Sequence, residues 1–396
     1  MQPRRAVAVR RHHQTAHRRG PRRPPARSHH MTTPAPTATD PARGMRTALA
    51  HQLTDPADPW RPALEQVPRH LFVPSFLEQD NNHRWRTVTA DTPDYWQTLY
   101  SDRALTTQLT DGTPTSSSSQ PSLMLDMLHA LDITDGHRVL EIGTGTGYNA
   151  ALLACRLGHD RVTTVDVDPD LTRTAAARLA QAGYLPAVHT GDGAAGAPHR
   201  APYDRIIATC AMTSIPPAWI EQATNQAIIV TPIGWGIARL TVHHDRAEGR
   251  FLPGEAYFMP RRTPSTPPDF AALHHTAPRP TPSTAPLGAL QTLRFPLSLT
   301  IPGHQWCTWT NDDTKAVKAL GLWTPDGSTA HIHADGTVRQ TGPRRLWNLV
   351  EELHEQFSGT APAREEFGIT ATPHRQWAWL DDPHGPGWDL PSTTTT

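Results

Sequence analysis

The chain has 396 residues, with 37 Lys+Arg against 37 Asp+Glu and a formal net charge of zero. That length admits two domains with real cores, and the balanced charge makes no global case for nucleic acid or a membrane surface as partner. No run of about twenty apolar residues occurs, so no transmembrane helix is expected. Three cysteines without paired spacing (Cys155, Cys210, Cys307) fit a reducing cytoplasm. The closest histidine groupings, His243-His244, His274-His275 and His331-Ile-His333, lack a Cys or acidic partner at zinc spacing, so no metal site is expected.

Residues 1–44 are rich in Arg, Pro and Thr, and Met1 to His30 holds arginines without a single acid. The stretch lacks the apolar core of a secretory signal and reads as a solvated, disordered basic leader, with Met31 and Met45 as alternative starts. From Met45 to Ser117 the pattern is helical and irregular around an apolar knot, Val67-Pro-Arg-His-Leu-Phe-Val-Pro74. Leu123, Met124, Met127, Leu128 and Leu131 give helical spacing after Pro121. Strand and helix then alternate. Strands are predicted at 138–142, 162–167, 187–189, 203–209 and 227–232. Helices are predicted at 148–157, 169–182 and 217–224, with Gly158 and Gly183 as stops. Such alternation predicts an α/β fold, a parallel sheet with helices on both faces. Two β-like segments follow, 237–243 and 250–259, so the main domain is drawn at 45–260. Residues 261–286 read as a Pro/Thr-rich linker. Residues 287–382 read as a smaller C-terminal α+β domain, with hairpin turns at Asp326-Gly327 and Asp335-Gly336, an amphipathic helix at 346–357, and many tryptophans that read first as core. Residues 383–396 read as a disordered polar tail.

The densest chemistry lies in Val139-Leu-Glu-Ile-Gly-Thr-Gly-Thr-Gly-Tyr148. A buried strand ends in a glutamate and turns through glycines into a helix, which lets a nucleoside lie over the end of a parallel strand. Gly143, Gly145 and Gly147, with Thr144 between the first two, are spaced G-x-G-x-G, whereas the dinucleotide fingerprint needs G-x-G-x-x-G. Glu141, just ahead of the loop, would repel a pyrophosphate and tolerate or attract a cation. Both features point away from NAD and toward S-adenosyl-L-methionine, which carries a sulfonium and an ammonium and no phosphate. Asp166, with Val167 after it, ends the second strand where a carboxylate accepts from ribose hydroxyls. Asp192-Gly193 follows the third strand, either meeting the adenine amino group or forming a plain Asp-Gly turn. Asp168 suits a helix cap.

The order VLEIGTGTGYNAALLA, TVDVD, GDGAAG, APYDRIIATCA, IPPAWIEQ, IVTPIG, with VPRHLFVP, YSDRAL and Ser119-Gln-Pro121 upstream, resembles the protein L-isoaspartate (D-aspartate) O-methyltransferases over roughly 45–236. The resemblance implies a Rossmann-like, S-adenosyl-L-methionine-dependent carboxyl methyltransferase. Its acceptor would be an isoaspartyl, D-aspartyl or aspartyl residue of a protein or peptide, and the ester would collapse to a succinimide. It implies Ser119 as the active-site hydroxyl. A carboxylate acceptor is already ionised at neutral pH, so a hydroxyl need only aim it, and positioning is the main lever. Thr115 to Ser118 are back-up candidates, and Ser119 also suits a cap for the helix from Pro121. Tyr100 and Asp102 either line the substrate groove or pack.

The sequence departs from the family at 106–115, in an insertion between Pro74 and Tyr100, and in an extension of about 150 residues. The extension resembles an actinobacterial branch serving peptide natural-product pathways. That implies an alternative acceptor, an aspartate of a ribosomal precursor peptide converted to aspartimide or isoaspartate. The rivals from other classes are a non-catalytic nucleoside-binding interaction module and an NAD-type oxidoreductase.

Overall fold

Apolar residues alternate along Val139–Ile142, Tyr203–Ala208 and Ala223–Ile233 so that both faces of a sheet are buried. Val139, Ile207, Ile228 and Val230 join one core, and Leu140, Ile206 and Ile229 join the core on the opposite face, as the two-residue period of a strand requires. The computed structural model describes residues 40, 42–80, 82–259, 268–270, 279–311 and 313–391. The basic leader to residue 39, the larger part of the linker and the last five residues lie outside them.

The first part of the chain supplies helices α1 (Arg43–Leu53), α2 (Arg61–Gln66) and α3 (Arg69–Phe72) and a four-stranded antiparallel sheet. Its strands are β1 (Ser75–Gln79), β2 (Trp85–Thr89), β3 (Leu105–Thr110) and β4 (Thr113–Ser118), in the order β2-β1-β3-β4. The expectation of a helical, irregular stretch holds for the helices up to Phe72 and is corrected for the strands that follow. Polar residues, many of them threonine, form two half-exposed hairpins, and Thr113–Ser118, at the end of the stretch expected to be irregular, is an edge strand. Its alternating burial (Ser116 and Ser118 buried, Ser117 not) is a strand pattern written in serine instead of apolar residues. The predicted leader also ends early: α1 starts at Arg43, and Arg46 pairs with Asp40 at 2.7 Å.

The main sheet has ten strands. β5 (Val139–Ile142), β6 (Val162–Asp166), β7 (Ala187–Thr190), β8 (Tyr203–Ala208) and β9 (Ala223–Ile233) are parallel, in the order β7-β6-β5-β8-β9. The chain leaves β5 toward β6 and later returns to its other side with β8, so the strand order reverses between β5 and β8. In open sheets this is where a crevice opens at the carboxyl ends. Beyond β9 the sheet continues antiparallel through β10 (Gly236–His243) and β11 (Arg246–Phe251). The segment expected to run as strand to residue 259 leaves the sheet after Phe251.

The C-terminal region divides between two sheets. β12 (Thr281–Pro282), β13 (Gln305–Thr310), β14 (Val317–Trp323), β15 (Thr329–His333) and β16 (Thr337–Thr341) form a five-stranded antiparallel sheet, and the helix Leu346–Gln356 packs on it through Trp347, Val350 and Leu353. β17 (Phe367–Ala371), β18 (Gln376–Leu380) and β19 (Gly387–Asp389) instead extend the main sheet, β17 pairing with β11. The line drawn at 287–382 is therefore not a boundary of the sheet, and the tail beginning at 383 contains a strand whose neighbour Leu390 is buried. Trp347 and Trp379 are core, as read, whereas Trp309 is 39% exposed. Among the described residues no helix is long and apolar enough to cross a membrane.

Candidate active site

The glycine turn after β5 is built by close approach. Gly143 sits at φ +95°, and a Cβ there would lie 2.7 Å from Thr209 Oγ1, a hydroxyl that donates back to the Gly143 carbonyl at 2.7 Å. Gly193 has an ordinary φ, yet a Cβ would lie 2.4 Å from Ile142 Cγ2. Glycine at both places lets the backbone line a cavity of about 960 Å³ over the carboxyl ends of β5, β6 and β8.

Ser119, Gly143, Thr144, Gly145, Asp166, Val167, Asp192 and Gly193 all line this one cavity. Asp166 Oδ2 accepts from the Gly145 amide at 2.9 Å and Oδ1 from the Asp168 amide at 3.1 Å, which fixes the carboxylate beside the glycine turn. Val167 is 53% exposed despite being apolar, a flat apolar wall at the cavity. Asp168 caps the helix Pro169–Gln181, accepting from Asp170 and Leu171 amides. Asp192 closes its own short turn by accepting from the Ala194 amide at 2.9 Å, so the turn geometry and the cavity position coexist.

Two of the expected cofactor residues stand elsewhere. Gly147 is the left-handed N-cap of the helix Tyr148–Leu157 and faces Ala175, 3.2 Å from where a Cβ would be. Glu141 is fully buried beneath the turn and is absent from the lining. Its Oε2 accepts from Thr164 Oγ1 at 2.6 Å and its Oε1 from Asn149 Nδ2 at 2.7 Å. Burial pushes its carboxyl up to about 7 against those two hydrogen bonds, with the nearby Asp166 charge adding to the rise. Strand alternation is the reason: Glu141 turns its side chain to Thr164 and Asn149 beneath the turn, whereas the next residue, Ile142, and the turn beyond it reach the crevice. The effect of Glu141 is indirect. By holding the Asn149 amide through its nitrogen, it leaves Asn149 Oδ1 buried in the cavity wall without a partner. An unpaired buried acceptor fits a cationic ligand group, and together with Asp166 and Val167 this lining fits S-adenosyl-L-methionine.

The degenerate serine run is sorted by its hydrogen bonds. Thr115 Oγ1 donates to Gln108 at 2.8 Å, Ser116 Oγ accepts from Thr107 at 3.3 Å, and Ser118 Oγ accepts from Arg69 at 3.3 Å. Ser117 and Ser119 keep uncommitted hydroxyls among the described residues, and Ser119 lies one residue past β4, at the mouth of the turn into the helix Pro121–Ala130. Ser119 does not cap that helix. Asp102 does so from outside, accepting from the Ser122 amide at 2.8 Å and from Gln120 Nε2 at 3.1 Å. Tyr100 is buried and bonds His70 at 2.8 Å. Both therefore hold the wall and neither lines the cavity.

Sequence reasoning missed Arg69, taken as part of an apolar knot. Its guanidinium is completely buried. It donates to the carbonyls of Leu99 (2.8 Å), Ser101 (3.2 Å), Arg103 (3.1 Å) and Ser119 (3.2 Å) and to Ser118 Oγ. Its charge centre lies 5.8 Å from the Tyr148 ring. One side chain thus ties the 99–103 segment to the serine turn and to the helix Tyr148–Leu157. The signal available was an arginine flanked by prolines and apolar residues, a place where an unpaired charge is costly. Also missed were Glu255, Tyr257, Phe258 and Met259, which wall the far side where the chain leaves β11 and Met259 accepts from the Ala211 amide.

A family model described as Protein-L-isoaspartate(D-aspartate) O-methyltransferase matches residues 52–253. A protein-L-isoaspartate O-methyltransferase of Methanococcoides burtonii is 35% identical over 207 residues, 50% of this chain and 89% of that protein. One of Gloeobacter violaceus is 37% identical over 176 residues, 43% and 72% of the two chains. A solved protein-L-isoaspartate O-methyltransferase structure, 18% identical, shares the fold with a TM-score of 0.50 over 86% of this chain and 100% of its own. The chain therefore belongs to the protein-L-isoaspartate(D-aspartate) O-methyltransferase family of S-adenosyl-L-methionine-dependent enzymes.

Proposed function

We propose that this enzyme methylates the free carboxylate of an L-isoaspartyl or D-aspartyl residue in a polypeptide, with Ser119 aiming that carboxylate. One observation carries the reading: the uncommitted Ser119 hydroxyl shares a single cavity with the glycine turn and Asp166. S-Adenosyl-L-methionine supplies a methyl group made electrophilic by its sulfonium. Asp166 would accept from its ribose hydroxyls, Val167 and Asp192 would hold the adenine, and Asn149 would take the ammonium. The acceptor carboxyl, with an ordinary pKa near 4, arrives ionised, so no side chain has to remove a proton. The lining fits this economy, since among the described residues it contains no histidine or lysine. Ser119 donates to one carboxylate oxygen and leaves the other free to attack, without the neutralisation a full cation would bring. Leu123, Met124, Phe258 and Met259 keep water from the reacting atoms. The ester leaves the enzyme intact. Its collapse needs only the next backbone nitrogen, which attacks the ester carbonyl as methanol departs.

The relatives' names carry isoaspartate, and no observation favours the precursor-peptide, binding-module or NAD readings over it. The test is methyl transfer to three matched peptides bearing isoaspartate, aspartate, and aspartate in a constrained ring. Transfer to the isoaspartyl peptide supports the reading, and transfer confined to the ring removes it.

A further inference from the structure

A second cavity of about 350 Å³ adjoins the first, and Glu255 lines both. Two arginines reach Glu255. Arg294 Nη2 donates to Oε2 at 2.5 Å and Arg364 Nη2 donates to Oε1 at 3.0 Å. One carboxylate therefore stands between two guanidiniums and leaves an excess positive charge. Nε of Arg294 is buried with no hydrogen-bond partner. Both cations are braced from behind. Arg294 lies 4.0 Å from the centroid of the Trp235 ring, and Arg364 Nε donates to the Trp235 carbonyl at 3.2 Å while its charge centre lies 5.2 Å from the Phe295 ring. Their side chains are 23% and 19% exposed, against 57% for Glu255. The cations are the more buried partners and the anion is the more exposed one. A braced guanidinium pair is a receptor for a planar carboxylate, and the carboxylate it holds here is the chain's own. All three residues lie beyond the 52–253 segment that matches the family.

We propose that Arg294 and Arg364 form a subsite for an acidic side chain of the substrate polypeptide, flanking the methyl-accepting residue, with Glu255 as the internal competitor it displaces. The subsite rests on the reading of the larger cavity as the place where a polypeptide is methylated. A neutral or basic flank leaves Glu255 in place, whereas an acidic flank takes over both guanidiniums. Glu255 thereby sets a threshold that only a well-placed carboxylate passes.

The test measures fluorescence anisotropy of labelled isoaspartyl peptides, with Glu, Gln or Lys at each flanking position, on the enzyme saturated with S-adenosylhomocysteine. Methylation of the same peptides is followed in parallel. The best Glu peptide binds about fivefold tighter than its Gln counterpart, the size an accessible, forked charge pair supports. Arg364→Gln brings that ratio to within about twofold, and Glu255→Gln, which removes no cation, widens it. Equal binding of Glu and Gln peptides, or a ratio unmoved in both variants, overturns the subsite even if every peptide is methylated. An acidic preference that responds to both variants, with no methyl transfer to any peptide, would keep the subsite and defeat the carboxyl-methylation reading instead.

Discussion

Replacing Arg69 should loosen the serine turn while leaving the cofactor cradle in place. Arg69→Met removes the donor that four carbonyls and Ser118 Oγ share. A hydrogen bond to a charged group contributes about 1.5–3 kcal/mol, which would sum to an implausible total if simply added. Two effects reduce it. No carboxylate contacts this guanidinium, so its removal also lifts a desolvation cost of several kcal/mol. The segments carrying Ser101, Arg103 and Ser119 are not buried, so water can reach those carbonyls, and only Leu99 lies fully inside. A net loss of about 3 kcal/mol remains, a large share of the roughly 5–15 kcal/mol that holds a domain folded. Arg69→Lys keeps the charge and three donors but not the fork, and should lose about half as much. Urea unfolding gives the stability change. Calorimetry should show cofactor affinity within about twofold, because Gly143, Asp166 and Asn149 are untouched, while kcat on an isoaspartyl peptide falls on the order of a hundredfold as the aim of Ser119 blurs. An Arg69→Met protein with an unfolding free energy within about 0.5 kcal/mol of the parent and an unchanged kcat would refute the reasoning.

Three further outcomes follow from the same geometry. Ser119→Ala should lower kcat roughly tenfold to a hundredfold with cofactor affinity unchanged, whereas Ser118→Ala, whose hydroxyl serves Arg69, should mainly cost about 1 kcal/mol of stability; the reverse pattern in peptide kinetics and urea melts would move the role to Ser118. Gly143→Ala places a Cβ 2.7 Å from Thr209 Oγ1 at φ +95°, so it should cost about 1–3 kcal/mol and weaken cofactor binding, and a calorimetric titration matching the parent would show that the turn is not held where described. Burial raises the Glu141 carboxyl from 4.5 to about 7, so the folded chain keeps a proton that the unfolded chain releases. That stability is whole below about pH 4.5 and is lost as pH rises through about 7. Glu141→Gln should flatten the stability curve across this window, measured by urea unfolding at a series of pH values, and an unaltered slope would mean the carboxyl ionises freely where it lies.

The cofactor half of the site was legible because it is local. A strand, a glycine turn and the start of a helix follow one another within ten residues, Asp166 ends the next strand and Asp192 follows the one after, so strands closed by Gly or Asp mark them. What was hidden depends on contacts distant in sequence. Arg69 reaches carbonyls 30 to 50 residues away, and nothing in Val67–Pro74 announces which side chain turns inward. Glu141 was misplaced because spacing gives its position in the chain but not the face of the strand it occupies. The serine strand escaped notice because its alternation lies in burial and not in residue type. The strands at 367–389 read as part of a separate domain because pairing with β11 across more than a hundred residues leaves no mark in either segment.

The most direct check is the chemical linkage formed when methyl-labelled S-adenosyl-L-methionine meets an isoaspartyl peptide and the purified enzyme. The account predicts label on the peptide carboxyl as an ester that mild alkali releases as methanol, with the aspartyl counterpart unlabelled. Label that survives alkali on nitrogen, or an enzyme with no measurable affinity for the sulfonium donor, would contradict it.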